Sequence, residues 1–334
     1  MQLTLVLPDL PTLHAHGTTS VRTSAFACLL ASAGLPVRES GGIPAALAPL
    51  YGVERQADWP LAAIRVAALG IDPGTAFWLA ADPVTLDVGR DDVRLLGVVE
   101  DLGRADADRL LASLNMHFAA DGLTFLAPEP DMFFARTTNA PRMTTHPPAA
   151  PGQPSRTLLP EGPDANIWRR WQSEIQMLLH EHPVNAERER SGRALANSLW
   201  FSYGGTLPPG AGPELSIRTF ATAGIAVALA AFAGSPARAL PSSLADALGA
   251  AGAAEMVIVA LDRSPDWEAA QRSWIAPAKD ALDAGLVGAL SLLADDLGDV
   301  ILWRARRARL WRRLAGRYAR HDLDALLWAA RKDV

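Results

Sequence analysis

The densest run of hydrogen-bonding side chains in this 334-residue chain lies between Trp168 and Gly205, WRRWQSEIQMLLHEHPVNAERERSGRALANSLWFSYGG. A helix through its first half puts Trp168, Trp171, Ile175, Leu178 and Leu179 on one face. Arg169, Ser173, Gln176 and His180 then recur along another face at spacings of three and four. The apolar face is core, and the polar stripe is either a solvated surface or the wall of a ligand site. The chain is expected to turn at His182-Pro183, because the residue before a proline is pushed out of helical conformation. Asn185, Glu187, Arg188 and Glu189 follow, then Asn197-Ser198 ahead of a strand ending in Gly204-Gly205. Polar groups so concentrated beside turn residues mark Gln176, His180, His182, Asn185, Arg188, Asn197 and Ser198 as the expected lining of a binding cleft. They would serve as donors, acceptors and one cationic clamp, with no catalytic set among them. Asp82, Asn115, His117 and Asp121 form a second rank, Asp121-Gly122 also being ordinary turn chemistry.

Other reactive residue types are poorly spaced. His180-Glu181-His182 and the pair His14 and His16 each set imidazoles two residues apart, whereas a helix needs three or four for shared ligation, so no metal is assigned. Cys28, the single cysteine, sits in the apolar run FACLL and reads as inert core; it also excludes a disulfide framework. No Gly-x-Gly-x-x-Gly, Walker-type loop or Gly-x-Ser-x-Gly elbow occurs.

The elements that must position these residues alternate in the manner of an α/β protein, with a mixed, mostly parallel sheet flanked by helices. Strands are expected at Leu3–Leu7, Ala76–Ala80, Val93–Val99, Leu123–Ala127, Met132–Ala135, Asn197–Phe201, Met256–Leu261, Leu286–Leu293 and Val300–Trp303. Helices are expected at Ser20–Ala33, Ala105–Phe118, from an Asp164 N-cap to about Glu181, and at Asp266–Ala284. The tight link between Leu123–Ala127 and Met132–Ala135 requires an antiparallel pair, and the order strand, helix, strand across 256–293 a parallel one. The segment 139–163 carries seven prolines and reads as a linker or a flap over the cleft. It divides an N-terminal α/β region, 1–138, from a C-terminal one, 164–334, unless both belong to one continuous domain. The longest uncharged stretch, Thr219–Ala237, is too mildly apolar for a membrane span and reads as a buried helix.

With 49% hydrophobic and 20% charged residues the chain can bury a sizeable core. Its net charge of −5 conceals a +7 tail from Ile301 onward, in which Arg306, Arg309, Arg313, Arg317 and Arg320 form a cationic helical stripe opposite Leu310 and Leu314. That basic helical segment could meet an acidic partner; general nucleic-acid coating and membrane insertion are not expected. The first twenty residues lack a basic start and a long apolar core, so the expected location is cytoplasmic.

Two blocks, LNMHFAADGLTFLAPEPDMFFA from Leu114 and EIQMLLHEHPVNAERERSG with NSLWFSYGG from Glu174, resemble the bacterial RpfE-type regulatory proteins, a family often labelled cofactor-independent phosphoglycerate mutase. The likeness extends to Ala80-Ala81-Asp82-Pro83-Val84 and to ALSLLADDLGDVILWRARRARLWRR near the C-terminus. In that family a histidine commonly follows Asp-Pro-Val, where this chain has Thr85. The mutase label implies an alkaline-phosphatase-like fold, with a Ser or Thr nucleophile between two divalent metals held by Asp and His residues. Asp9 stands at an expected strand end, but no Asp-His dipeptide occurs, and His321-Asp322 is reversed. The resemblance therefore implies a regulatory protein that binds a small-molecule or protein ligand without a cofactor. A phosphoryl-transfer enzyme dependent on divalent metal is the alternative.

Overall fold

The computed structural model describes residues 1–7, 25–33, 35–88, 93–148, 160–210, 216–261, 267–296 and 298–307. The chain divides into two compact units, one formed by Met1–Gly52 with Gly210–Val334 and the other by Val53–Pro209. The expected boundary at 139–163 therefore falls inside the second unit, whose chain is inserted into the first. The proline-rich segment is stapled there: Thr144 and Glu161 exchange both backbone hydrogen bonds, at 2.8 and 3.0 Å.

The first unit is built on a six-stranded sheet in the order β2-β11-β10-β1-β9-β8. Its strands are β1 (Gln2–Leu7), β2 (Val37–Ser40), β8 (Ile217–Phe220), β9 (Met256–Ala260), β10 (Ala289–Asp296) and β11 (Asp299–Arg306). β1 runs parallel to both β9 and β10, and β8 parallel to β9, while the β10–β11 hairpin and β2 are antiparallel. Continuous apolar runs suit a sheet covered on both faces. Leu3, Leu5 and Leu7 join one core with α1 (Ala25–Ser32), α8 (Leu244–Ala251) and α9 (Ala276–Ala284). Outside that cluster, α2 (Gly42–Leu47) packs on β10 and β11, and α7 (Ile225–Phe232) on β8. The mixed, mostly parallel sheet flanked by helices is thus present in this unit. Its antiparallel members are β2 and β11, which end the order on one side.

The antiparallel pair expected at 123–135 belongs instead to the second unit, whose five strands pair only antiparallel. They are β3 (Phe77–Val88), β4 (Val93–Val98), β5 (Leu123–Glu129), β6 (Met132–Thr137) and β7 (Ser198–Gly205). Trp78 pairs with both Gly205 and Arg136, and Val84 with both Ser198 and Val98. A strand has two edges, so β7 lines one edge of β3 while β6 and then β4 share the other. One face carries Phe77, Leu79 and Ala81 against α4 (Arg104–His117) and α5 (Ala165–His180). The other carries Trp78 and Ala80 against α3 (Leu61–Ala68), with Trp200 among Val84, Leu86 and Leu95.

Several local expectations change. The uncharged stretch 219–237 is not one helix: it holds the end of β8 and the eight-residue α7, separated by bends at 222–224. Asp164 occupies the N-cap position of α5 without capping it, because its carboxylate accepts the Arg142 backbone N–H at 2.8 Å and meets the guanidinium at 3.4 Å. The expected turn at His182-Pro183 is present, with His182 out of helical conformation at φ −69° and ψ 135°; helix α6 (Pro183–Arg190) follows it, with Pro183 in the first turn, where its missing N–H costs nothing. Arg306, assigned to the cationic helical stripe, ends β11. The rest of that stripe, along with Asp9, His14 and His16, lies outside the described residues. Among the described residues no helix is long and apolar enough to cross a membrane.

Candidate functional site

The polar block of Trp168–Gly205 is tied largely to its own scaffold. α5 turns Trp168, Trp171, Ile175 and Leu179 inward and leaves Arg169, Ser173 and His180 exposed, with Gln176 half-buried. His180 is thus exposed, whereas Asn185 is buried. Asn185 is 2% exposed, and its amide donates to Leu179 O (2.7 Å) and Ala196 O (3.0 Å) while accepting the Ala196 N–H (2.9 Å). Arg188 is fully buried; it donates to Ala194 O at 2.6 Å and forms an ion pair with Asp101. The expected cationic clamp is internal.

Asn197 and Asn115 share one device. Asn197 accepts the Leu86 N–H and donates to Leu86 O, both at 2.8 Å, so its side-chain amide acts as one more strand residue beside β3. Asn115 does the same for Phe125 of β5, at 2.7 and 2.9 Å. An amide presents the donor and acceptor of a peptide unit, which is why Asn satisfies a strand edge that no neighbouring strand covers.

A strip of polar pairs links α4 to α5, α6 and the turn between them. Arg109 forms a two-pronged ion pair with Glu187 (2.8 and 2.9 Å), and His117 meets Glu174 at 3.4 Å. The His182 Nδ1 accepts the Val184 N–H at 3.2 Å as the N-cap of α6, which leaves Nε2 as the protonated nitrogen facing Ser113 Oγ at 3.0 Å. Burial, then the nearby Arg109 guanidinium, hold the His182 imidazole below its ordinary value, with Glu187 opposing. His117 is exposed, and Asp121 is exposed in a short 3-10 turn closed by Gly122 at φ 73°. Both are surface residues.

Of the expected residues on the sheet, Asp82 and Ser198 remain without such scaffold roles. Asp82 is half-buried on β3; burial pushes its carboxyl up, Arg65 opposes and Asp131 adds to the rise. Ser198 is fully buried, and its hydroxyl has no hydrogen-bond partner. Sequence reading missed Asp58, Thr145, His146, Ser202 and Tyr203, isolated polar residues without a repeating spacing. Asp58, 3% exposed, gathers three segments of chain: its carboxylate accepts the N–H groups of Trp59 (2.8 Å), Thr145 (3.0 Å) and Gly204 of β7 (3.2 Å) and the Thr145 hydroxyl.

In the first unit the register sets Val6 beside Ala260 and Leu7 beside Ala294, so the carboxyl ends of β9, β1 and β10 lie side by side. Ligands of parallel α/β sheets bind at such ends. β10 closes with Asp295-Asp296, and the sequence continues from β1 into Pro8-Asp9 and from β9 into Leu261-Asp262. Asp9 and Asp262 lie outside the described residues. Asp296, 1% exposed, is neutralised by Arg38 at 2.9 Å, and the same guanidinium meets Asp299 at 2.8 Å. Among the described residues no three His, Cys, Asp or Glu gather to hold a cation. Among the described residues this edge offers the carboxylates of Asp295 and Asp296, hard oxygen donors of the kind that suit magnesium or manganese.

No family model and no curated protein sequence matches the chain. Among solved structures it is similar to the cofactor-independent phosphoglycerate mutase from Thermoplasma acidophilum DSM 1728, at 15% identity and a TM-score of 0.41, covering 98% of this chain and 99% of that one. It is also similar to the PH0037 protein from Pyrococcus horikoshii, at 14% identity and a TM-score of 0.45, covering 91% and 87%. Both likenesses are distant.

Proposed function

We propose that the chain is a phosphoryl-transfer enzyme of the phosphoglycerate-mutase-like kind, acting in the cytoplasm at the carboxyl edge of β9, β1 and β10. One observation carries this reading: three adjacent parallel strands, aligned in register, each lead in sequence to aspartate, at Asp262, Asp9 and Asp295. Asp295 on β10, with Asp9 and Asp262 two residues past β1 and β9 in sequence, would supply the oxygen donors for a divalent cation. Such a cation would polarise phosphoryl oxygens and offset their charge. Arg38 withdraws Asp296 from that set by neutralising it, and so fixes the β10–β11 hairpin beside the edge.

The test is metal analysis of the purified full chain, together with a phosphomonoester screen that includes 3-phosphoglycerate. Bound manganese, magnesium or zinc with turnover, both lost in Asp9→Asn, supports the reading; neither metal nor turnover overturns it. A second reading, a regulatory protein of RpfE type that binds without turnover, is favoured by the Arg38–Asp296 pair, which removes one acid from the edge. It predicts folded, metal-free protein that is inactive on every phosphomonoester.

A further inference from the structure

The pairing of β3 with β7 carries a polar locus of its own in the second unit. Register sets Ala80 opposite Ser202, Asp82 opposite Trp200 and Val84 opposite Ser198. Leu199 and Phe201 belong with Phe77, Leu79 and Ala81 to the core under α4 and α5. Side chains alternate along a strand, so Asp82, Ser198, Trp200 and Ser202 share the other face. Ser198 and Ser202 sit diagonally to either side of Asp82, at about 7–8 Å between backbones. Both serines are fully buried, and neither hydroxyl has a hydrogen-bond partner.

The segment around 145–146 lies against the same stretch of β7. Trp200 Nε1 donates to His146 O at 2.8 Å, and the Tyr203 N–H to Thr145 Oγ1 at 2.9 Å. The His146 Nε2 is buried and likewise unpartnered. The ladder slips register between Trp78 and Ala80, and there Tyr203 takes φ 58°, the one non-glycine residue at positive φ among those described. Bulges and left-handed non-glycine residues concentrate where a strand is shaped for a ligand. Two orphaned buried hydroxyls on one face of a single strand, Ser198 and Ser202, are unusual in a folded protein and call for a partner.

We propose that this face binds a small uncharged hydroxylated molecule, a polyol or sugar, with Asp82 accepting its hydroxyl protons and Ser198 and Ser202 completing the set. The charged groups acting on Asp82 are Arg65, whose guanidinium lies 5.4 Å from the Phe134 ring centre, and Asp131. An anionic ligand would meet two carboxylates there, and a cation would compete with Arg65. A hydroxyl group donates to a carboxylate and accepts from a serine at once, matching both kinds of group the face presents. Hydroxyl donors would also offset the burial that pushes the Asp82 carboxyl up. The site is independent of the phosphoryl-transfer reading, since it uses none of the residues at the strand ends.

Saturation-transfer NMR on the full chain, with glycerol, D-mannitol, myo-inositol and D-glucose as probes and glycerate as the anionic control, tests the proposal. At least one uncharged probe should receive saturation, at least tenfold less tightly bound in Asp82→Asn and in Ser202→Ala. Ser202→Ala should melt no lower than the parent chain, because its hydroxyl makes no bond within the protein. Absence of contact with every uncharged probe, tighter binding of glycerate, or a melting temperature several degrees lower for Ser202→Ala overturns it.

Discussion

Replacing Asn185 by alanine separates scaffold from site most sharply. The substitution removes three hydrogen bonds and leaves the Ala196 N–H and C=O without their Asn185 partners, while Leu179 O keeps the His182 N–H at 3.1 Å. Ala196 is fully buried in the core shared with Trp168 and Leu179. Two backbone groups orphaned at about 1–3 kcal/mol each amount to roughly 2–6 kcal/mol of lost stability. For a unit spanning Val53–Pro209 that is a fall in Tm on the order of 10 °C. Urea unfolding followed by tryptophan fluorescence reads it directly, since Trp168 and Trp171 lie in the same core. Gln176→Ala, half-buried on the same stretch of chain, should stay within about 0.5 kcal/mol of the parent. A loss below about 1 kcal/mol for Asn185→Ala, at unchanged m-value, would refute the scaffold assignment and return Asn185 to the candidate ligand contacts.

Three further outcomes are expected. The neutral His182 ring caps α6, so its contribution is complete above the unfolded imidazole value of about 6.5 and is lost as pH falls through the lower folded value. Unfolding curves between pH 7 and 5 should accordingly show a decline in the parent chain that is smaller in His182→Asn, whose amide keeps the cap. Gly205→Ala would place a Cβ 2.5 Å from that of Pro60 and should cost about 1–3 kcal/mol, whereas Gly210→Ala, with nothing within 4 Å, should be nearly neutral by thermal melting. Arg38→Ala removes the guanidinium from buried Asp296 and should cost about 3 kcal/mol in denaturant titration, with much of the loss recovered when Asp296→Asn is added.

Where local pattern and burial coincide, the sequence alone was sufficient. The apolar runs at Leu3–Leu7 and Met256–Leu261 became strands because an uninterrupted run of branched side chains is stable only between two covered faces. The tryptophan stripe of 168–179 likewise found its core, since a 3.6-residue period aligns those rings whatever they pack against. What no local pattern contains is the pairing of distant segments. The insertion of Val53–Pro209 into the first unit, the gathering of Asp58, Thr145 and Gly204, and the placing of Asp82 beside Ser202 each depend on contacts between residues far apart in sequence, 87 and 146 positions for Asp58, or on strand register. The polar block at 168–205 shows the consequence. Its composition announced hydrogen bonding, and tertiary structure decided the partners: Asn185 and Asn197 turn inward because backbone groups buried without a strand neighbour must be paired, and a side-chain amide is the group of matching shape.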